Sequence, residues 1–358
     1  MQKASLMKIG KRVLQIVLPV AILGFLIYYS RNDWAELASA QLHLNWWLLA
    51  LSFLGFLLQE LSYGLIWRSV LQRLGYNLDL RPSLRIYLGS EFVRYIPGNV
   101  WHVLTRVLWV GKYGVPRPIA LASMIVELTT KLAAGALVFA LSLLFWGDIG
   151  VVGKLLNGTP VIMFVGVLTV VALLVVLHPR VLNGLLNFAL RLLKREPVAL
   201  TLRYRNILTV TLYWCVSWCV AGSAFYVLVL SLWPTAPLLL LPLCIGIYAI
   251  VWDIGFLSFV TPSGLGAREL SMVGLFALAV PSLGFAPLLA VLSRVVSTLA
   301  ELLCVSLAYF SGGRPVQEIQ QEQREQAAAA EQQEAEDTSA SDTFSDAAVA
   351  GVEEGAGK

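Results

Sequence analysis

Residues 119–146 have the sequence IALASMIVELTTKLAAGALVFALSLLFW, an apolar run with only two charged side chains, Glu127 and Lys131. An α-helix needs about 20 such residues to cross the hydrocarbon core of a bilayer. The stretch is therefore long enough to span a membrane, and its two ionisable residues would lie inside the bilayer. Further apolar runs occupy residues 13–29, 46–67, 159–177, 207–232, 237–260 and 285–310, and two shorter or interrupted runs occupy 84–110 and 269–283. We predict an all-α polytopic integral membrane protein with about eight hydrophobic helices, two of them broken or re-entrant.

The composition of the whole chain favours the same class. Of its 358 residues, 58% are hydrophobic and 13% are charged, and the mean hydropathy is +0.75. A soluble protein of this composition could not cover its surface with polar groups. The four cysteines lie in apolar runs and the three histidines are scattered along the sequence. The sequence therefore predicts no metal site, no cofactor and no nucleic-acid partner.

Charge divides the chain into two parts. Residues 1–311, the predicted transmembrane domain, contain 23 Lys and Arg against 11 Asp and Glu, whereas residues 312–358 contain 3 against 11. The second part is an acidic, low-complexity tail that we expect to be disordered. The expected partners are membrane lipids, and recruitment of a soluble partner by the tail is an open alternative.

The distribution of basic residues predicts the orientation in the membrane. Segments 68–85 and 178–206 are rich in arginine, whereas 30–45 and 147–158 contain few basic residues. The positive-inside rule places the arginine-rich segments and the amino terminus in the cytoplasm. The apolar run 13–29 ends without a small-residue cleavage pattern, which favours a retained first helix over a signal peptide. We expect a multi-pass protein of a bacterial-type inner membrane.

An internal repeat is visible in the order of the helix-breaking residues. Ile96-Pro97-Gly98 precedes Val115-Pro116, and Thr261-Pro262-Ser263-Gly264 precedes Val280-Pro281, with 19 residues from the first proline to the second in both cases. Proline and glycine interrupt helices, and transporter folds often place substrate sites at broken helices between repeated halves. Backbone amides freed at a helix start favour anions. A phosphate head group is the expected ligand.

Ionisable residues also lie within the predicted membrane helices, namely Glu60, Glu127, Lys131, Arg294 and Glu301. An unpaired charge at the bilayer centre costs at least about 2.5–3.5 kcal/mol, so each of them should face a partner or a cavity. Glu127 and Lys131 share one helix face and could pair with each other. Pairing of Glu127 with Arg294 across the two halves is the alternative. Either arrangement produces a polar seam through the membrane.

Two signatures suggest a family. The stretch Gly89–Arg94, the Pro-Gly break and the run Gly114–Glu127 resemble the first signature of the lysylphosphatidylglycerol synthase transmembrane (flippase-like) family. Residues 261–269, with the later Val280-Pro281 and Arg294, are similar to the second. The resemblance covers about residues 5–312. Only the acidic tail follows this region, whereas the synthases carry a large soluble aminoacyl-transferase domain, so we do not expect aminoacyl transfer by this chain.

The resemblance implies binding or translocation of a lipid, with phospholipids and polyprenyl-linked lipids as candidate substrates. We expect a flippase-like function in which intramembrane Arg and Glu side chains hold the head group. The chain lacks the Gly-rich phosphate loop of ATPases and any recognisable catalytic motif, so we do not expect an enzyme. The alternative hypothesis is a membrane-embedded enzyme or accessory subunit of a lipid-linked glycan or aminoacyl-lipid pathway. The predicted substrate-binding residues are Glu91, Arg94, Arg106, Glu127, Arg268, Glu269 and Arg294.

Overall fold

The computed structural model describes residues 44–93, 101–146, 168, 171–173, 175–192, 202–258, 264, 266–280 and 286–310. Every regular element within those residues is helical. The helices numbered here are α1 (Trp46–Arg73), α2 (Leu80–Phe92), α3 (Trp101–Gly111), α4 (Arg117–Ser142), α5 (Pro179–Leu192), α6 (Tyr204–Leu232), α7 (Leu240–Leu257), α8 (Ala267–Ala279) and α9 (Ala286–Phe310). A 3-10 turn, Leu143–Phe145, extends α4. The predicted all-α class is confirmed for the described part of the chain.

Five helices are long and apolar enough to cross a membrane: α1, α4 with its 3-10 turn, α6, α7 and α9. They coincide with five of the apolar runs in the sequence, and the multi-pass membrane class is thereby confirmed. The predicted first span, 13–29, and the tail, 312–358, lie outside the described residues, as does most of the predicted span 159–177. The total of about eight helices therefore stays a prediction.

The numbered helices belong to one compact unit, residues 1–111 and 115–312. A second unit groups residues 112–114 with 313–358, and only its short turn at 112–114 is described. The proposed boundary between residues 311 and 312 stays a prediction.

Helix α6 forms the centre of the bundle, where it packs against α1, α4 and α7. Small residues allow these backbones to approach closely. A Cβ added at Gly55 of α1 would lie 2.6 Å from the Cβ of Ala224, and one added at Gly222 of α6 would overlap the backbone of Ile245 in α7. The opposite face of α1 exposes leucines suited to lipid contact, namely Leu51, Leu54, Leu58 and Leu65.

The apolar segment 84–110 does not form one continuous helix. It contains the end of α2 and nearly all of α3, helices of 13 and 11 residues separated by the undescribed residues 94–100. At about 1.5 Å per residue each is shorter than the hydrocarbon core of roughly 30 Å. The 13 residues of α8 fall short in the same way. These three short helices carry Glu91, Arg106 and Glu269, and they pack against the long spans.

The arginine-rich segment 178–206 contains a helix, whereas we expected a cytoplasmic loop there. Helix α5 places Leu182, Leu186 and Leu190 on one face, and that face is buried. This helix packs against α4. Its amphipathic pattern, with Arg180 and Arg191 exposed, is typical of helices that lie along a membrane surface.

Candidate functional site

Arg106 lies at the centre of a buried ionic cluster formed by α2, α3 and α4. Its Nη1 donates to Glu127 Oε2 at 2.5 Å, its Nη2 donates to Glu91 Oε1, and its Nε donates to Ser90 Oγ at 2.9 Å. The phenol of Tyr87 donates to the other oxygen of Glu127, Oε1, at 2.7 Å. We call these five residues, Tyr87, Ser90, Glu91, Arg106 and Glu127, the Arg106 cluster. Three separate helices are joined by this one guanidinium.

The cluster satisfies the requirements of a cation buried among apolar helices. Arg106 is 1% exposed, and its guanidinium lies 4.0 Å from the ring centroid of Tyr87. Two carboxylates, a hydroxyl and an aromatic face surround the charge, an arrangement that a buried arginine needs. The structure thus brings together three of the predicted site residues, Glu91, Arg106 and Glu127. Their contact with a ligand stays a prediction.

A second ionic pair lies in the other half of the chain, between α8 and α9. Glu269 Oε2 accepts from the backbone N–H of Gly266, which caps α8, at 2.6 Å. Its Oε1 lies 3.9 Å from Nε of Arg294. Gly266 has a φ of 87°, a conformation that glycine adopts without strain. From the sequence we expected backbone amides at this helix start to be available to an anionic ligand. The amide N–H of Gly266 instead donates to the side-chain carboxylate of Glu269.

The two halves carry their charges in opposite order. In the first half the short helix α3 supplies the arginine and the long helix α4 the glutamate, whereas in the second half α8 supplies the glutamate and α9 the arginine. Both oxygens of Glu127 are engaged by Arg106 and Tyr87. Neither pairing considered from the sequence, Glu127 with Lys131 or with Arg294, is therefore the main contact of Glu127.

A cavity of about 190 Å³ lies beside the Arg106 cluster and extends to the junction of α7 and α8. Residues from both halves of the chain line it. Its polar and charged lining residues are Tyr87, Glu91, His102, Arg106, Glu127, Lys131, Trp252, Ser258 and Arg268.

Arg268 reaches this cavity through close packing of the backbone. Its methylene groups lie against Gly255 of α7, where an added Cβ would overlap them. The backbone of Gly264, which has a φ of 66°, also packs against Gly255. A Cβ added at Gly264 would overlap the carbonyl of Gly255. Within the described residues Arg268 makes no ion pair, and it lines a small pocket together with Tyr248. Of the predicted arginines that the structure describes, Arg106 and Arg294 form ion pairs with described carboxylates, whereas Arg268 does not.

Lys131 is held by aromatic rings. Its Nζ lies 3.7 Å from the ring centroid of Tyr63 and 3.9 Å from that of Trp252, with Trp214 at 4.9 Å. The indole N–H of Trp218 donates to the backbone carbonyl of Lys131 at 3.2 Å. Cation–π contacts of a desolvated ammonium are each worth about 2 kcal/mol or more. This cage was not predicted from the sequence. The available signal was that Tyr63, Trp214, Trp218 and Trp252 all lie within apolar runs.

Asp253 of α7 is a further buried carboxylate that the sequence reading did not select. It is 4% exposed, and its carboxylate lies against Gly135 of α4, where a Cβ would overlap it. Oδ1 has no hydrogen-bond donor among the described residues. A single Asp within the otherwise uncharged run 240–257 was the available signal.

A smaller polar pocket adjoins the first one on the side of α1 and α9. It is lined by Gln59, Glu60, Tyr63, Tyr248, Trp252, Arg268, Arg294, Ser297, Thr298 and Glu301. Arg268 and Trp252 line both spaces. The polar seam expected from the sequence therefore runs between the halves. Arg94, the remaining predicted site residue, lies outside the described residues.

The described residues contain no group of three or more His, Cys, Asp and Glu side chains suited to a metal ion. At the wall of the cavity the structure places cations and carboxylates close together.

No curated protein matches the chain. The sequence matches the family described as the lysylphosphatidylglycerol synthase TM region over residues 13–304. That match extends from the first predicted span to the last helix and includes both signatures, the Arg106 cluster, the cavity and the Glu269–Arg294 pair. The chain belongs to the lysylphosphatidylglycerol synthase transmembrane family.

Proposed function

We propose that the chain binds a membrane lipid by its phosphate-bearing head group in the cavity between the two halves and moves that lipid between the leaflets. The observation that carries the proposal is the cavity itself, which lies among membrane-spanning helices and is lined by three cations, Arg106, Lys131 and Arg268. Buried charges in a membrane protein are costly and mark substrate or ion pathways. The family relates the chain to lipid biochemistry.

Arg268 is the proposed phosphate ligand. It is half-buried at the cavity wall, and no carboxylate of the described residues forms an ion pair with it. A guanidinium binds phosphate oxygens through two parallel hydrogen bonds, a geometry that an ammonium cannot supply. Lys131 adds a second positive charge on the α4 side.

The Arg106 cluster is proposed to position this site. Its guanidinium is already engaged by two carboxylates, and displacement of either would leave a buried charge without a partner. Holding α2, α3 and α4 at fixed spacing defines the cavity wall that faces Arg268. Glu269 and Arg294 have the corresponding role for α8 and α9.

The cavity volume favours a small head group. Sites for drug-sized molecules have volumes of roughly 300–1,000 Å³, whereas this cavity has about 190 Å³. A phosphate with a short polar substituent suits that space better than a large lipid-linked glycan. The proposal assigns no catalytic step to the chain.

The test uses the full chain reconstituted in liposomes that contain a fluorescent phosphatidylglycerol, with dithionite quenching to follow exchange between leaflets. Wild-type protein should accelerate exchange over protein-free liposomes, and Arg268→Gln should reduce that acceleration at least tenfold. Arg81→Gln, which removes the same charge from an exposed position on α2, should leave it unchanged.

Two results would contradict the proposal. Wild-type protein that moves no phospholipid under these conditions lacks the proposed activity. Release of a soluble product from a lipid-linked donor without lipid movement would favour the membrane-enzyme alternative.

A further inference from the structure

Charge balance in the cavity is the starting point. The Arg106 cluster has two carboxylates and one guanidinium, a formal charge of −1, which Arg268 at the same cavity offsets. Lys131 is in turn offset by Asp253, whose carboxylate packs on Gly135, one helical turn after Lys131 on α4. The formal charges of these six described groups therefore sum to zero. A phosphate monoanion entering the cavity would leave one uncompensated negative charge in the membrane interior, which is costly.

Lys131 and Asp253 are arranged to respond to that extra charge. Lys131 lies one helical turn before Gly135 on α4, and Asp253 packs on Gly135. The ring of Trp252, the residue before Asp253, lies 3.9 Å from the Lys131 ammonium. Lys131 also lines the cavity. The same ammonium thus compensates Asp253 and faces the space proposed for the head group.

Asp253 is suited to bind a proton because one of its oxygens lacks a donor. Oδ1 is buried and receives no hydrogen bond from the described residues. A buried carboxylate in this state is stabilised chiefly by the nearby cation. An anionic ligand that pairs with Lys131 weakens the electrostatic stabilisation that this ammonium gives to the ionised Asp253. The protonated, neutral form of Asp253 then becomes the more stable one.

Resting on the lipid binding proposed above, we propose that Asp253 takes up one proton when an anionic head group enters the cavity and releases it when the head group leaves. The proton comes from the aqueous phase, forms an O–H bond on the Asp253 carboxyl, and returns to water on release. The formal charge of the site is then the same in the empty and occupied states. A proton gradient across the membrane could thereby drive lipid movement, through linkage between the two ligands.

The other titratable groups around Asp253 determine which residues could bind the proton in its place. Helix α4 presents Lys131 and Glu127, and α8 presents Arg268 beside Gly255. Helix α6 has no acidic or basic residue after Arg205, and it faces the Lys131 site with the rings of Trp214 and Trp218. On α1 the contributing group is the phenol of Tyr63. His102 of α3 and the carboxylates of Glu91 and Glu127 line the same cavity and are the competing proton acceptors.

The experiment measures protons bound per lipid bound. Full-length protein in detergent micelles is titrated with dihexanoyl-phosphatidylglycerol by isothermal calorimetry, in buffers that differ in their enthalpy of ionisation. Wild-type protein should take up about one proton per lipid, and over the linked range its Kd should rise by close to tenfold per pH unit as the pH rises. Asp253→Asn should bind lipid with a Kd independent of pH and with no proton uptake.

Two control variants make the assignment specific. Asp79→Asn makes the same chemical change at an exposed position before α2, and it should retain wild-type proton uptake. His102→Gln should also retain it. Loss of uptake in His102→Gln, or unchanged uptake in Asp253→Asn, would overturn the proposal.

The wild-type measurement separates this inference from the proposed function. Lipid binding without proton uptake refutes the role of Asp253 and leaves lipid binding intact. Absence of lipid binding refutes the proposed function, and the proton inference falls with it. If Asp253→Asn does not fold, the wild-type stoichiometry and His102→Gln still test the proposal, since an absent uptake in the wild type or an uptake lost in His102→Gln refutes it.

Discussion

Replacing Arg106 by methionine should destabilise the protein strongly, because the change leaves two buried carboxylates without their cation. The side chains of Arg106, Glu91 and Glu127 are 2%, 11% and 7% exposed, so solvent screens the remaining charges little. Removing one partner of a buried ion pair costs about 3–5 kcal/mol. The free energy of unfolding, measured by titrating mixed micelles with SDS, should fall by about that amount. Arg81→Met, at an exposed position, should change it by less than about 0.5 kcal/mol.

A rescue experiment distinguishes the electrostatic cause from lost packing. Adding Glu91→Gln and Glu127→Gln to Arg106→Met removes the uncompensated charges, and replacing a complete buried ion network by neutral groups is often close to neutral in stability. The triple variant should therefore recover most of the free energy lost by the single one. An Arg106→Met protein within about 1 kcal/mol of wild type, or a triple variant no more stable than it, would refute the reasoning.

Two substitutions at the site, with one control, probe its packing and its hydrogen bonding. Gly135→Ala should lower the unfolding free energy by about 1–3 kcal/mol, because the new methyl group overlaps the Asp253 carboxylate. The control is Gly184→Ala, at a position where nothing lies within 4 Å of the added methyl group. In the same denaturation assay it should raise the unfolding free energy by about 0.4–1 kcal/mol. Tyr87→Phe removes the hydroxyl that donates to Glu127 and should cost about 1.5–3 kcal/mol. An unaltered denaturation curve for Tyr87→Phe would show that this hydrogen bond contributes nothing to stability.

The long spans could be predicted from the sequence because their length and apolarity are properties of a contiguous segment. The run 119–146 corresponds to α4 with its 3-10 turn, and the run 285–310 corresponds to α9 within one residue. The interruption of 84–110 was predicted from its Pro-Gly pair, but the bounds of its two short helices were not. An amphipathic helix within 178–206 was missed, since the dense arginines favoured a loop.

The partners of the buried charges could not be predicted, because spacing along one helix says nothing about the neighbouring helices. Glu127 and Lys131 are four residues apart, yet Glu127 bonds to Arg106 of α3, and Lys131 contacts rings of α1, α6 and α7. The residue types at the site were largely anticipated, with Glu91, Arg106 and Glu127 brought together. Asp253 was not among the predicted site residues, because no second charged residue lies near it in the apolar run 240–257.

The aromatic cage of Lys131 has a consequence for measurement. The indoles of Trp252 and Trp214 both face the ammonium, at 3.9 and 4.9 Å from their ring centroids. Indole emission responds to a charge held at the face of the ring, so any displacement of this ammonium should change the intrinsic fluorescence of the protein. The chain has 11 tryptophans, and Trp252→Phe would isolate the contribution of the nearer one. The protein thus contains its own optical probe, placed at the wall of the cavity and requiring no attached dye.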